Sequence, residues 1–222
     1  MGTCQGCGQE FTVPSHLAER FPGWTPPRCP ACFRGGSTGS AKRGATGGAK
    51  GGAKGGARGS PHEDDLTPEQ ALERYDEGPD TGVFTDGSAE PNPGPGGWGA
   101  VYVVAGEIVA QDHGHEAQTT NNRMELMALL RGVELVPEGV TATLYTDSRL
   151  AVDTVTKWAP GWERRGWQRK TGPVQNLDLV RPLVERLRAR PELAIAWLPA
   201  HQGLRWNEYA DRLASAWRRE QG

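Results

Sequence analysis

The chain has 222 residues, of which 36% are hydrophobic and 23% charged, with a formal net charge of −2. That length suits one ordinary domain with a small appendage and supplies enough apolar material for a packed core. No run approaches the ~18 apolar residues of a membrane helix, and the start lacks an apolar signal-peptide core. A soluble, cytoplasmic protein with no membrane partner is expected.

The small net charge hides three unlike regions: residues 1–60 carry net +6, residues 61–82 net −7 and residues 83–222 net −1. All 4 cysteines lie in the first 32 residues, leaving the body without disulfides, as in a reducing compartment. Residues 1–34 hold two CxxC pairs, Cys4/Cys7 and Cys29/Cys32, separated by 21 residues. Four thiolates suit tetrahedral Zn²⁺, which in so small a unit supplies much of the folding energy. Two disulfides or redox-active pairs are the alternatives. The missing signal peptide argues against the first, and the missing βαβ pattern against the second. The patterns CxxCGxxF and PxRCxxC also resemble a small zinc ribbon. Phe11, Phe21, Trp24 and Phe33, with Arg20, Arg28 and Arg34, would form either a nucleic-acid surface or the ribbon's own core.

Residues 35–60 are low in complexity, with GGA-Lys/Arg units ending at Lys50, Lys54 and Arg58. Nothing there offsets ordering entropy, so a flexible basic linker spanning about 28 Å is expected. Within the acidic stretch 61–81, residues 66–78 predict a short helix. Thr67 is its N-cap, Pro68 its first residue, Gln70 completes a capping box and Gly78 ends it.

From residue 82 the pattern changes. VFTDGSA predicts a strand and PNPGPGG a loop. WGAVYVVAG and EIVAQDHGHE predict two strands joined at Gly106. NNRMELMALLRGVELV predicts a long helix capped by Thr120. VTATLYTDS is a strand and SRLAVDTVTKWA a helix, followed by a Trp/Arg-rich stretch. PVQNLDLVRPLVERLRAR is a helix with an internal Pro182, ELAIAWLPA a strand and RWNEYADRLASAWRR a final helix. The order βββαβααβα predicts an antiparallel meander extended by two parallel strands, flanked by helices.

Two strands end alike, in Thr85-Asp86-Gly87 and Thr146-Asp147-Ser148. If they are neighbours, Asp86 and Asp147 converge, and buried like charges so placed need a cation. A strand-end Asp also serves as a turn former or helix cap, and Asp147 precedes a helix. Glu125 lies on a small, apolar helix face with Ala128, Leu129 and Gly132, where a carboxylate needs a partner; it is equally an ordinary first-turn Glu. Periodicity does not single out Asp211, which lies near Arg218 on its helix face. Four converging carboxylates would suit Mg²⁺, and two such ions support in-line displacement at phosphorus.

The runs FTDGSAEPNPGPGGWGA (84–100), TTNNRMELMA (119–128), TDS (146–148), WERRGW (162–167), PVQNLDL (173–179) and HQGLRWNEYADRLA (201–214) together resemble type 1 ribonuclease H, the bacterial ribonuclease HI family. The resemblance spans essentially all of 82–222. It implies the family's mixed five-stranded α/β sheet and endonucleolytic cleavage of the RNA strand of an RNA/DNA hybrid, leaving 5′-phosphate and 3′-hydroxyl ends. It implies two Mg²⁺ ions, with Mn²⁺ as substitute, on Asp86, Glu125, Asp147 and Asp211. It matches His201 to a mobile active-site histidine that moves a proton or aids product release; read alone, His201 is a loop residue. Asn92, Asn121 and Asn122 would lie beside the hybrid, with Thr120 and Asn121 at a DNA-strand phosphate. The stretch 157–170 corresponds to a basic protrusion that grips the DNA strand. There Arg164, Arg165, Arg169 and Lys170 would be the grip, and Trp158, Trp162 and Trp167 the packing.

Arg149, Glu163 and Ala200 depart from the common pattern; Gln and Gly are familiar at 149 and 200. A monomer is expected, with a second nucleic-acid or protein contact through the cysteine module. Three rival readings compete with this one: a catalytically dead hybrid binder, a strand-transfer enzyme of related fold, and a zinc-ribbon adaptor with a structural body. Four retained acids argue against the first, TTNNRMEL and the basic protrusion against the second, and the whole constellation against the third.

Overall fold

The computed structural model describes residues 1–4, 7–26, 29, 66–200 and 202–220. The expected linker 35–60, together with Arg28, Cys32, Phe33, Arg34 and His201, lies outside the described residues. A small hairpin, β1 (Gly2–Thr3) and β2 (Glu10–Phe11), precedes the helix Ser15–Arg20. The body is a five-stranded sheet in the order β5-β4-β3-β6-β9. β3 (Gly82–Ala89), β4 (Gly94–Val104) and β5 (Glu107–Thr119) form the antiparallel meander, and β6 (Ala142–Thr146) and β9 (Leu193–Trp197) join in parallel. The expected topology is therefore observed, including the parallel pairing of the two Thr-Asp strands.

Alternation along β3 sends successive side chains to opposite faces. Val83 packs into the larger core with Leu129, Val133, Leu144 and Leu183. Phe84 packs into the other with Trp206, Tyr209 and Leu213. The long helix Asn121–Leu135 thus covers one face and the helix Arg205–Ala214 the other. Arg190 fastens the C-terminal end of the long helix, donating from its guanidinium to the carbonyls of Val133, Val136 and Pro137 at 3.3, 2.8 and 2.6 Å. A cation suits the carbonyls at this helix end.

Several elements differ from expectation. Gly94–Gly97 belongs to β4 rather than to a loop, and within this strand Gly97 and the following Gly99 clear room for the last long helix. A Cβ on Gly97 would sit 2.2 Å from the Ala214 carbonyl oxygen, and one on Gly99 2.6 Å from that of Ala210. The helix expected from Pro173 runs Leu177–Ala189, since Asn176 is left-handed at φ 51 and Pro173 pairs in a hairpin of β7 (Gln168–Arg169) and β8 (Gly172–Pro173). The helix after Ser148 continues to Glu163 through a π-turn at Thr154–Trp158. The final helix breaks at Ser215, whose hydroxyl donates back to the Arg212 carbonyl at 3.2 Å.

In the acidic stretch the helix is Pro68–Arg74. The capping box forms as expected, with Gln70 N donating to Thr67 Oγ1 at 3.3 Å and Thr67 N to Gln70 Oε1 at 2.8 Å. Its end is Tyr75, not Gly78. This segment is part of the body: Leu66 and Ala71 are buried, and Leu72 packs against the Trp206–Tyr209–Leu213 cluster. Among the described residues, no helix is long and apolar enough to cross a membrane.

Candidate active site

β3 and β6 run parallel with Val83 opposite Leu144, Phe84 opposite Tyr145 and Thr85 opposite Thr146. The next residue on each chain is Asp86 and Asp147, so the register alone sets the two carboxylates side by side where the β3–β6 pairing ends; β6 stops there, whereas β3 runs on to Ala89 rather than ending at Asp86 as expected. Binding sites of open α/β sheets lie at the carboxyl end of such a pairing. The threonines hold this geometry from below. Thr85 Oγ1 donates to the Tyr145 carbonyl at 3.0 Å, and Thr146 Oγ1 to Glu125 Oε2 at 3.3 Å.

Glu125 arrives through close backbone packing. A Cβ on Gly87 would lie 2.2 Å from the Met124 carbonyl carbon and 2.3 Å from the Glu125 nitrogen, so only glycine lets the first turns of the long helix rest on β3. The expected face is borne out: Ala128, Leu129 and Gly132 are buried below Glu125. Carboxylate oxygens of Asp86, Glu125 and Asp147 all lie within 4.8 Å of one another. Asp86 is 8% exposed and Glu125 9%. Burial is the main cause that raises the pKa of Asp86 well above the ordinary carboxylate range, followed by the charges of Asp211 and Asp147. Burial likewise raises Glu125, with Asp86 and Asp147 adding repulsion, against which the Thr146 hydroxyl works. These are hard oxygen donors whose mutual repulsion a divalent cation would relieve, so the donor set fits Mg²⁺ or Mn²⁺.

Asp147 is not the helix cap. Ser148 takes that role, accepting from Ala151 N at 3.3 Å. Asp211 sits on the helix Arg205–Ala214 within hydrogen-bonding reach of Asp86, outside the tighter group of three. Its ion pair is with Arg212 at 3.0 Å rather than with Arg218, which pairs with Glu90 at 3.0 Å.

Beside the carboxylates, Thr120 caps the long helix by accepting from Arg123 N at 3.3 Å. Asn121 Oδ1 accepts from Ala89 N at 2.7 Å, and Asn121 N donates to Asn92 Oδ1 at 3.3 Å. These bonds gather Asn92, Thr120 and Asn121 at one helix start. Asn122 Oδ1 is buried there without a hydrogen-bond partner. The basic stretch occupies the end of the helix at Glu163 and the β7–β8 hairpin. Arg164, Arg165 and Lys170 are exposed, while Arg169 is half-buried with its Nε donating to the Pro173 carbonyl at 3.1 Å. Trp167 is half-buried against the main core, as expected of a packing residue. Trp158 departs from that expectation: it is 40% exposed, stacked obliquely on Trp162 with ring centroids 5.9 Å apart. Glu163, an odd acid in a basic stretch, binds Arg188 with both oxygens at 3.2 and 2.7 Å and so ties the protrusion to the helix Leu177–Ala189.

Sequence reading missed Trp197. Its Nε1 donates to the Asp147 carbonyl at 2.9 Å, and Arg149 stacks over its ring at 4.9 Å. A tryptophan ending a strand opposite Thr146 was the available signal. The supporting roles of Thr85 and Thr146 were also missed, although the duplicated Thr-Asp pair displayed them.

At the amino end, Cys4, Cys7 and Cys29 bring their sulfurs within 4.8 Å of one another. Phe21 does not present a nucleic-acid surface: it is 8% exposed and packs on Tyr102 of the body at 6.3 Å between ring centroids.

The RNase H family model matches residues 79–218. Ribonuclease H of Methylorubrum extorquens is 46% identical over 138 residues, covering 62% of this chain and 60% of that protein. Ribonuclease H of Novosphingobium aromaticivorans is 44% identical over 134 residues, covering 60% of this chain and 92% of that protein. Among solved structures, LC9-RNase H1, a type 1 RNase H with the type 2 active-site motif, aligns with a TM-score of 0.52 and 30% identity over 66% of this chain and 76% of that one. A foamy viral protease-reverse transcriptase aligns with a TM-score of 0.53 at 20% identity, over 65% of this chain and 94% of that one, which extends the likeness of fold alone. With the carboxylates seated on the central strands and the family match covering nearly all of the sheet, the chain belongs to the ribonuclease H family.

Proposed function

We propose that this ribonuclease H hydrolyses the RNA strand of RNA/DNA hybrids, leaving 5′-phosphate and 3′-hydroxyl ends. The observation that carries the reading is the convergence of Asp86, Glu125 and Asp147, with Asp211 beside Asp86. These four would hold two Mg²⁺ ions, with Mn²⁺ as substitute. Bound there, the ions supply a Lewis acid that makes hydroxide available at neutral pH and stabilises the departing 3′-oxygen.

The chain's own residues do the rest. Thr146 orients the Glu125 carboxylate, and the backbone packing at Gly87 holds it near Asp86. The unpartnered Asn122 Oδ1 is an acceptor suited to a 2′-hydroxyl, the group that separates RNA from DNA. Thr120 and Asn121, with Asn92, would seat a DNA-strand phosphate at the helix start. Arg164, Arg165, Arg169 and Lys170 would grip the DNA strand electrostatically, with Trp167 fixing the hairpin that carries them. His201 would move a proton or aid product release.

Residues 82–222 would form the catalytic domain, with the acidic segment 61–81 before it, 35–60 a linker and 1–34 a zinc-holding module on Cys4, Cys7, Cys29 and Cys32. A monomeric, cytoplasmic enzyme fits these features. Asp147→Asn is expected to abolish cleavage while leaving hybrid affinity within a few-fold. Retained turnover in that variant would remove the proposed metal site.

A further inference from the structure

The amino-terminal module was expected to hang from a linker as a second hybrid binder. Its described residues instead dock on the body. Leu17 and Phe21 are buried in the same core as Val83, Tyr102 and Val133, and Val13 and Trp24 pack against that core. The docked end is remote from the carboxylates. Val133 lies eight residues beyond Glu125 on one helix, about 12 Å along its axis. Tyr102 pairs with Val83, three residues before Asp86, about 10 Å along the strand.

The cysteines sit at the base of this docked turn. Cys4 is 1% and Cys29 5% exposed. Cys7 and Cys29 sulfurs are 3.8 Å apart. A disulfide would bring them to about 2.05 Å, whereas two thiolates on one tetrahedral Zn²⁺ with ~2.3 Å bonds stand about 3.8 Å apart. The Cys29 N–H donates to Cys4 Sγ at 3.2 Å, which favours an anionic sulfur. The β1–β2 hairpin positions Cys4, whose N–H donates to the Gln9 carbonyl at 2.9 Å.

We propose that Cys4, Cys7 and Cys29 hold one Zn²⁺ that fixes the 13–25 turn so that Leu17 and Phe21 stay docked on the rear of the catalytic body. The site is a brace for the far end of the long helix rather than a second grip on the hybrid. This rests on the zinc reading above and is independent of the cleavage reaction, because its readouts are metal content and hydrogen exchange. The full-length chain is expected to carry one zinc by elemental analysis. Cys7→Ser should lose the zinc and speed amide exchange at residues 133–140. Phe21→Asp should keep the zinc and speed the same amides, with hybrid affinity unchanged. A zinc-free wild type would overturn the metal site. Unchanged exchange in Cys7→Ser, or hybrid affinity lost in Phe21→Asp, would overturn the brace.

A second, independent contact lies at the start of the helix that carries Asp211. Tyr75, Glu77 and Gly78 precede the matched family region and meet Gly203 and Leu204. A Cβ on Gly203 (φ +68) would touch Tyr75 Cδ1 at 3.3 Å, and one on Gly78 would touch Leu204 Cδ2 at 3.3 Å. Glu77 bridges Leu204 in parallel, and its carbonyl accepts from Arg205 N at 2.9 Å. Leu204 offers no side-chain cap, so this strap satisfies the first helical N–H of the helix bearing Asp211.

We infer that Tyr75 is a positioning residue, setting where the loop after β9 ends and that helix begins. Because the contact is through the ring, Tyr75→Ala should lower kcat about tenfold with KM nearly unchanged, and Tyr75→Phe should restore it. Unchanged kcat in Tyr75→Ala, failure of Tyr75→Phe to restore it, or a loss confined to KM would overturn the assignment.

Discussion

At the scale of single residues, the site stores repulsion. Asp86 and Glu125 have folded-state pKa values raised chiefly by burial, with neighbouring carboxylates adding to the effect. A carboxyl whose pKa is raised on folding contributes stability that is complete below its unfolded pKa, about 4, and is lost as pH climbs through the raised value. Without divalent cations, this pair therefore weakens the fold at neutral and alkaline pH. The thermal shift produced by Mg²⁺ should be larger at pH 8 than at pH 5, because at low pH protons occupy more of the carboxylates and the ions must displace them. An equal shift at both would contradict the account. Asp86→Asn should abolish cleavage yet raise metal-free stability at pH 8 by about 0.5–2 kcal/mol, as expected when a functional strain is removed. Gly87→Ala should act in the opposite sense. Its Cβ meets backbone atoms of Met124 and Glu125, so a loss of about 1–3 kcal/mol in denaturant unfolding is expected, with lower activity as Glu125 shifts.

At the scale of elements, legibility followed whether the signal was local. The strands around Asp86 and Asp147 were legible from apolar runs closed by Thr-Asp, and the long helix from its Thr120 cap and apolar face. Asp211 was not legible from periodicity, because its role depends on where a distant helix lands on β4. The same helix explains why Gly97 was misread: it looks like part of a loop until Ala214 is placed against the strand. Glu163 looked like an intruder in a basic stretch until Arg188 supplied its partner from another helix. That pairing leaves Arg164 and Arg165 exposed, as a backbone-gripping element requires. Arg164→Ala and Arg165→Ala should each reduce the dependence of log affinity on log salt by about 1 and weaken binding alike across hybrid sequences. Titrations at several ionic strengths check this, and an unchanged slope would place the grip elsewhere.

At the scale of the whole molecule, separate parts of the sequence converge on one body. Composition divided the chain into a basic arm, an acidic segment and a neutral domain, suggesting three independent parts. Yet Leu66, Ala71 and Leu72 complete the packing around the last long helix, and Phe21 enters the main core beside Tyr102. Neither contact was legible, because a few apolar residues in a short segment look the same whether they form their own core or enter another. The consequence is an active site supported on two sides. Register and a glycine contact assemble the carboxylates from β3, β6 and the long helix, while the segment before β3 steadies the helix that carries Asp211.

The central claim is that these carboxylates make a metal-dependent, hybrid-specific ribonuclease. The most direct test follows end-labelled RNA paired with DNA, paired with RNA, or alone, each with Mg²⁺ and with EDTA. Cutting of the hybrid alone, only with Mg²⁺, and with 5′-phosphate on the new end is the predicted result. Intact hybrid in Mg²⁺ and Mn²⁺, or cutting that persists in EDTA, would contradict it.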